Sequence, residues 1–359
     1  MRPLPVVPKR VCILRLSALG DCANIVPVVH TLRAARPDIE IVWVINRGEA
    51  RWISGLANVE CVLFDKKGGR AAVRDLKTRL AGRRFDALLN MHASWRANRI
   101  SRLIQADRRI GFDRRRARDG QRWFVDERIP AVDSRHVVDG FLAFAAAIGA
   151  VEPVYDWRVP IADSERDKAC RLLDTEHDAR PILFVSPCSS HDKRNWLAAR
   201  YAAAADYAVS RHGMRCVLVG GPSSVERAMG QAIAQSMTSE TPVDLIGQTD
   251  LKTLAALFEH GRLLLTPDSG PAHMANASEI TTITLHGATD PRRSGAYRSR
   301  AYGVDYFAEA ARRYRHSDPD RLKWGTRIED DAHVMALIPV SAVTDRIDQA
   351  IARTYDDRP

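Results

Sequence analysis

The chain has 359 residues, 45% of them apolar and 27% charged, a composition ordinary for a soluble globular enzyme and a length beyond what one core usually serves, so two domains are expected. No apolar run approaches the roughly 20 residues that cross a bilayer. The start, MRPLPVVPKR, passes directly into strand-like VCILRL, so no secretory signal is expected and the protein is placed in the cytoplasm.

The net charge of +10 calls for an anionic partner, whether nucleic acid, phosphorylated substrate or acidic membrane face. In chain order, short β-branched runs alternate with helical stretches, the sign of a parallel sheet covered on both faces. Strands are predicted at 11–16, 39–46, 59–65, 85–92 and 109–112, with helices at 25–36, 49–56, 69–84, 94–105 and 136–148. Residues 151–161, with Pro153, Trp157 and Pro160, read as an extended interdomain connection. A second series follows, with strands at 181–187, 214–220, 243–246, 262–266 and 280–285. Its helices are predicted at 197–212, 224–237, 251–259 and 271–278, and an amphipathic helix at 340–355 ends the chain. The expected fold is α/β: two Rossmann-like, doubly wound domains facing across a cleft. Their bounds are 1–160 and 161–340, with 341–359 packing back on the first domain.

Six cysteines, none in a C-x-x-C pair, argue against zinc and against a disulfide framework. Cys12, Cys61 and Cys216 fall within strand patterns and read as core residues. No cofactor is expected.

Ligands of such sheets bind outside the carboxyl ends of the strands, so the loops there carry the chemistry. The first, Ser17-Ala18-Leu19-Gly20-Asp21, has one glycine where a dinucleotide fingerprint needs three. It offers a carboxylate instead. Asp21 reads either as a helix N-cap or as a general base for a hydroxyl. The second loop runs from Ser186 to Trp196 and includes Ser189 and Lys193. Its hydroxyls and amides can bind phosphate oxygens, and Lys193 can offset charge on a departing diphosphate, although such lysines are commonly plain surface. In the third, Asp268-Ser269-Gly270-Pro271-Ala272-His273, Ser269 or Asp268 can cap a helix whose amides form an anion site. His273, one turn in, suits packing as well as ligand contact. A D-x-D pattern, Asp318-Pro319-Asp320, reads as a turn rather than a metal site. Between Arg96 and Arg128 arginines crowd the chain, Arg114, Arg115 and Arg116 among them. That stretch is either a solvated surface or a phosphate-binding one.

Five segments together resemble the ADP-heptose:lipopolysaccharide heptosyltransferases over nearly the whole chain. They are Ser17-x-x-Gly20-Asp21, Ser189…Lys193-x-x-Trp196, Gly220-Gly221-Pro222 with Glu226, Asp268-Ser269-Gly270-x-x-His273, and the run from Leu285 to Pro291. The nearest likeness is to the enzymes that add the first heptose, including a branch with Leu322-Lys323-Trp324-Gly325-Thr326. The resemblance implies a GT-B arrangement and an inverting, metal-independent transfer in which Asp21 is the base. It further implies that Ser189 and Lys193 meet the donor's diphosphate and sugar, Glu226 the ribose and Thr249 the adenine end. Asp268 would contact the heptose, Ser269 and Gly270 the phosphates, with His273 beside them. Ser17, Gly20, Arg114, Arg115 and Arg116 would face the acceptor. The implied partners are ADP-heptose, a phosphorylated or carboxylated glycolipid (Kdo-lipid A) and the anionic inner face of the cytoplasmic membrane, with peripheral association there.

Cys188, Thr249 and the segment Cys22-Ala23-Asn24-Ile25-Val26-Pro27 depart from the family's usual pattern, which bears on the acceptor more than on the donor. A GT-B enzyme using another nucleotide sugar for a surface polysaccharide is the alternative. A nucleic-acid-binding protein is a third reading, set against the few aromatics along the arginine stretch.

Overall fold

The structure, a computed structural model, describes residues 6–329 and 333–356. Residues 1–5, 330–332 and 357–359, which the N-terminal reading and the domain ranges above include, lie outside the described residues. The chain divides into two compact units, Met1–Pro160 and Ile161–Pro359.

In the first unit β1 (Arg10–Leu14), β2 (Glu40–Ile45), β3 (Val59–Leu63), β4 (Arg84–Asn90), β5 (Gln105–Gly111) and β6 (Glu127–Arg128) form one sheet. Its order is β3-β2-β1-β4-β5-β6, with every pairing parallel. The helices are α1 (Leu19–Ala35), α2 (Arg47–Ile53), α3 (Gly69–Leu80), α4 (Trp95–Ser101) and α5 (Val137–Ala147).

The second unit holds β7 (Ile182–Val185), β8 (Arg215–Leu218), β9 (Val243–Asp244), β10 (Gly261–Pro267), β11 (Thr281–His286) and β12 (Val304–Asp305). They form a parallel sheet in the order β12-β11-β10-β7-β8-β9. Around it lie α6 (Asp163–Leu173), α7 (Ala198–His212), α8 (Ser224–Ser236), α9 (Leu251–Glu259), α10 (Gly270–Met274), α11 (Pro291–Ser294), α12 (Phe307–Arg315) and α13 (Val340–Asp356).

Both sheets are wound alike. The chain starts in the middle, steps outward over three strands, then returns to the other side with the fourth. The strand order therefore reverses between β1 and β4 and between β7 and β10, and such switch points are where doubly wound sheets bind ligands. Central strands buried on both faces should read as continuous apolar runs. In β1 only Arg10 is exposed, and all of β7 is buried.

Two expectations need correction. α1 begins at Leu19, so Asp21 lies in its first turn rather than in a loop. Cys22, Ala23, Ile25, Val26, Val28 and Val29 are all buried. A helix apolar all round shows no stripe to mark where it starts. The last helix does not return to the first unit. Val343, Ile347 and Ala350 of α13 lie in the second unit's core beside Leu285, Val304 and Phe307, and α13 packs on α7. Their helical spacing forms one apolar stripe, and polar pairs flank it. The Tyr207 hydroxyl donates to Asp348 Oδ2 at 2.8 Å, and His212 Nε2 lies 2.7 Å from Asp348 Oδ1.

The extended segment before Pro160 lies along α1. The Val154 amide donates to Thr31 Oγ1 at 2.9 Å, and the buried Trp157 indole donates to Asn24 Oδ1 at 3.3 Å.

Candidate active site

At the switch point of the first sheet, β1 leads through Ser17 and Gly20 into α1. That path leaves Asp21 half-buried one turn into the helix. Arg15, from the end of β1, grips it. Arg15 Nη2 donates to Asp21 Oδ2, while Nη1 donates to the Met91 carbonyl at 2.7 Å and the guanidinium lies 5.6 Å from the Phe141 ring centre. The carboxylate is thus oriented by a cation that is itself anchored past the end of β4.

Next to Met91 stands His92. Its Nδ1 accepts the Leu16 amide at 3.2 Å, so the neutral ring carries its proton on Nε2. Burial, followed by the charges of Arg15, Lys66 and Arg96, pushes His92 down to about 2. This end of the sheet therefore combines one carboxylate, a neutral imidazole and several cations. The sequence does not mark His92 and Arg15 as site residues, because both fall within the last two positions of predicted strands. Their position at the carboxyl ends of β1 and β4 was the available signal.

At the second switch point, the loop after β7 closes on itself. The Ser189 amide donates to Asn195 Oδ1 at 2.7 Å, and Ser189 Oγ donates to the His191 carbonyl at 3.0 Å. Lys193 sits half-buried in the one-turn helix Asp192–Arg194. Beyond β10, Asp268 and Ser269 are buried and Gly270 opens α10. Ser269 occupies the N-cap position without capping; its hydroxyl pairs with Thr266 Oγ1 at 2.9 Å instead.

Asp268 accepts from Ser294 Oγ at 2.9 Å and lies 3.5 Å from His273 Nε2. Burial raises this carboxyl, but the hydrogen bond from His273 and neighbouring positive charge outweigh it and hold Asp268 well below the usual carboxylate range. Burial pushes His286, which lies within that field, down from its ordinary value. His286 is clamped between Thr284 Oγ1 at 3.0 Å and Thr289 Oγ1 at 3.1 Å.

Further along the same edge, Glu226 serves the start of α8. It accepts the Gly221 amide at 2.7 Å and the Ser223 hydroxyl at 2.7 Å, while its own amide donates to Oγ of the N-cap Ser223 at 3.2 Å. Thr249 is half-buried after β9. Cys188 is buried, and burial with the Glu226 charge pushes its thiol up to about 11. In the D-x-D pattern, Asp318 caps a short turn by accepting the Asp320 amide at 2.8 Å, and Asp320 accepts from Arg292 at 2.6 Å.

The arginine stretch does not act as one group. Arg114 and Arg115 are exposed. Arg116 is buried against Asp113, with Nη1 donating to Oδ2 at 2.5 Å and Nη2 donating to the Ser134 carbonyl at 2.5 Å. The expectation that Arg116 faces an acceptor is corrected accordingly: it fastens the loop, because a guanidinium out of water needs its donors satisfied. Nor are aromatics as sparse here as the linear sequence suggested. Trp95 and Trp123 are brought together at the surface.

The two six-stranded parallel sheets, one in each unit, are the architecture of GT-B glycosyltransferase structures. The fold matches that of a family 9 glycosyl transferase from Veillonella parvula, with a TM-score of 0.77 and 21% identity over 98% of each chain. It also matches the E. coli heptosyltransferase WaaC solved with ADP, with a TM-score of 0.69 and 18% identity, covering 95% of this chain and 99% of that one. A family model, glycosyltransferase family 9 (heptosyltransferase), matches residues 73–320. The lipopolysaccharide core heptosyltransferase OpsX of Haemophilus influenzae is 34% identical over 322 residues, 90% of this chain and 91% of that protein. The chain belongs to glycosyltransferase family 9, the heptosyltransferases.

Proposed function

We propose that the protein moves a heptose from ADP-heptose to the Kdo inner core of lipopolysaccharide lipid A, at the inner face of the cytoplasmic membrane. The observation that carries this reading is the likeness, along nearly the whole chain, to the Haemophilus influenzae core heptosyltransferase. The E. coli relative of the same fold that carries ADP supports the donor's nucleotide. Association with the bilayer is read as peripheral; no described helix is long and apolar enough to cross a membrane.

In the proposed step Asp21 takes the proton of an acceptor hydroxyl as that oxygen attacks the anomeric carbon. The bond from that carbon to the diphosphate breaks, ADP departs from the opposite face, and the configuration inverts. Arg15 keeps Asp21 aimed, with Ser17 on the acceptor's side and the buried Gly20 behind it in α1. Lys193, Ser189, Ser269 and Gly270 neutralise the growing charge on ADP. Asp268 accepts heptose hydroxyls, with His273 holding it ionised. Glu226 has a free lone pair on each oxygen for the ribose, and Thr249 lies toward the adenine. Arg114 and Arg115 pair with acceptor phosphates and carboxylates. No step calls on a metal or on nucleic acid.

The test is ADP release on mixing purified protein, ADP-heptose and Kdo-lipid A fragments, with EDTA in one arm. Transfer at equal rates in both arms is expected. No transfer from ADP-heptose to any fragment would overturn the assignment, and strict need for added magnesium or manganese would overturn the metal-free step.

A further inference from the structure

The loop joining β5 to β6 is constructed to present aromatic rings. Buried Gln121 ties it to the sheet, accepting the Phe112 amide at 3.1 Å and donating to the Asn90 carbonyl at 2.9 Å. Asp119 then links it to α4. Its Oδ2 accepts the Trp95 amide at 3.2 Å, and its carbonyl accepts from Asn98 Nδ2 at 2.9 Å. Gly120 has φ +68°, and a Cβ there would come within 2.4 Å of the Trp123 ring and 3.2 Å of Trp95. Only glycine suits both demands.

The result is a pair of stacked indoles, 6.3 Å apart and 30° from parallel, with Trp95 53% and Trp123 59% exposed. Phe124 meets Trp95 edge-on at 6.4 Å. Cations surround them. Arg122 lies 4.8 Å over Trp123 and Arg102 4.6 Å over Phe124, and a surface hollow of about 480 Å³ beside the pair is lined by Arg114, Arg118, Arg122 and Arg128.

We propose that this surface docks on a bilayer rich in anionic phospholipid, with Trp95 and Trp123 seated at headgroup level and Arg118, Arg122 and Arg128 on lipid phosphates. Indole is amphipathic and settles at the membrane–water boundary. Arginine pairs bidentately with phosphate while its stem lies along apolar surface. Stable peripheral binding takes two weak signals together, apolar insertion and basic charge, and this patch supplies both. Single-stranded nucleic acid would use an open indole face for stacking. Here the rings face each other and Arg122 lies over one of them. The inference rests on the proposed membrane-borne acceptor and adds which surface of the first unit meets the membrane.

The experiment uses the full chain with Trp95→Ser and Trp123→Ser, singly and combined, plus Arg122→Gln. Binding is measured by flotation with vesicles of phosphatidylethanolamine and phosphatidylglycerol, against vesicles of phosphatidylethanolamine and phosphatidylcholine. The double variant is expected to lose about tenfold or more of its partitioning onto the anionic vesicles. It should keep its melting temperature and its transfer rate to an acyl-free acceptor fragment. Arg122→Gln, with both indoles intact, should weaken binding to the anionic vesicles at low salt and hardly at high salt. Brominated lipid should quench wild-type tryptophan fluorescence, and the double variant should lose that quenching. Undiminished vesicle binding by the double variant would overturn the proposal, as would single-stranded oligonucleotide binding that depends on the two tryptophans. Failure of the wild type to transfer to the acceptor fragment would count against the reaction alone, because flotation reads docking without turnover.

Discussion

Asp21 has a single strong partner, the guanidinium of Arg15. An ion pair at the carboxyl end of β1 fixes the direction of the carboxylate through Oδ2, and the proposed base role falls to its other oxygen. Asp21→Asn is expected to keep the fold and the donor affinity while lowering turnover by about two to four orders of magnitude, the usual scale of general-base catalysis. Near-normal turnover would end that assignment.

His92 gives a second prediction at this scale. Its folded pKa lies far below the ordinary 6.5, so the unfolded chain takes up the proton first. Stability is therefore full above that ordinary value and falls as pH drops below it toward about 2. His92→Gln should flatten the loss of melting temperature on acidification, and parallel curves for wild type and variant would refute the claim. Asp21 was legible in the sequence because it follows a strand and a small-residue turn. Arg15 and His92 were not, since their meaning comes from two strand ends that are distant in sequence and adjacent in the sheet.

The loop from Asp113 to Phe124 shows what linear charge cannot reveal about an element. Three consecutive arginines look alike on paper, yet Arg116 turns inward, where Gly140 of α5 leaves it room; a Cβ at Gly140 would lie 2.9 Å from its Nε. Arg116→Gln should cost about 3–5 kcal/mol of stability, the scale for removing one partner of a buried ion pair. The pair Arg114→Gln and Arg115→Gln should change stability by less than about 0.5 kcal/mol and instead raise the acceptor's apparent KM at low salt. Equal behaviour of the two sets, in melting and in kinetics, would contradict this division. Regular elements were more legible than loops. The buried strands gave themselves away by unbroken apolar runs, whereas β6 and β12 have two residues each, too few for any period. Helices α6 and α12 were passed over because each buries only a narrow face, two residues and three respectively.

At the scale of the molecule, the alternation of strands and helices was enough to foresee two doubly wound sheets, because only parallel winding with helices on both faces satisfies that pattern. The destination of the last helix was not foreseeable. An apolar stripe specifies that it must be buried and is silent on where. Ile347→Ala should cost about 2–5 kcal/mol, as for other large-to-small changes in a core. The hydrogen-exchange protection lost should map to α7 and β11; loss confined to β1–β5 would return α13 to the first unit.

That placement also orders events in time. Each sheet is drawn from one unbroken stretch of chain, and domains fold as units during synthesis, N-terminal first. The first unit has all its strands, and the Trp157 latch on α1, by the time Pro160 leaves the ribosome. The second has no such head start. Its core is completed by Val343, Ile347 and Ala350, which follow every one of its strands in the chain, so that core can close only after α13 has joined strands already made.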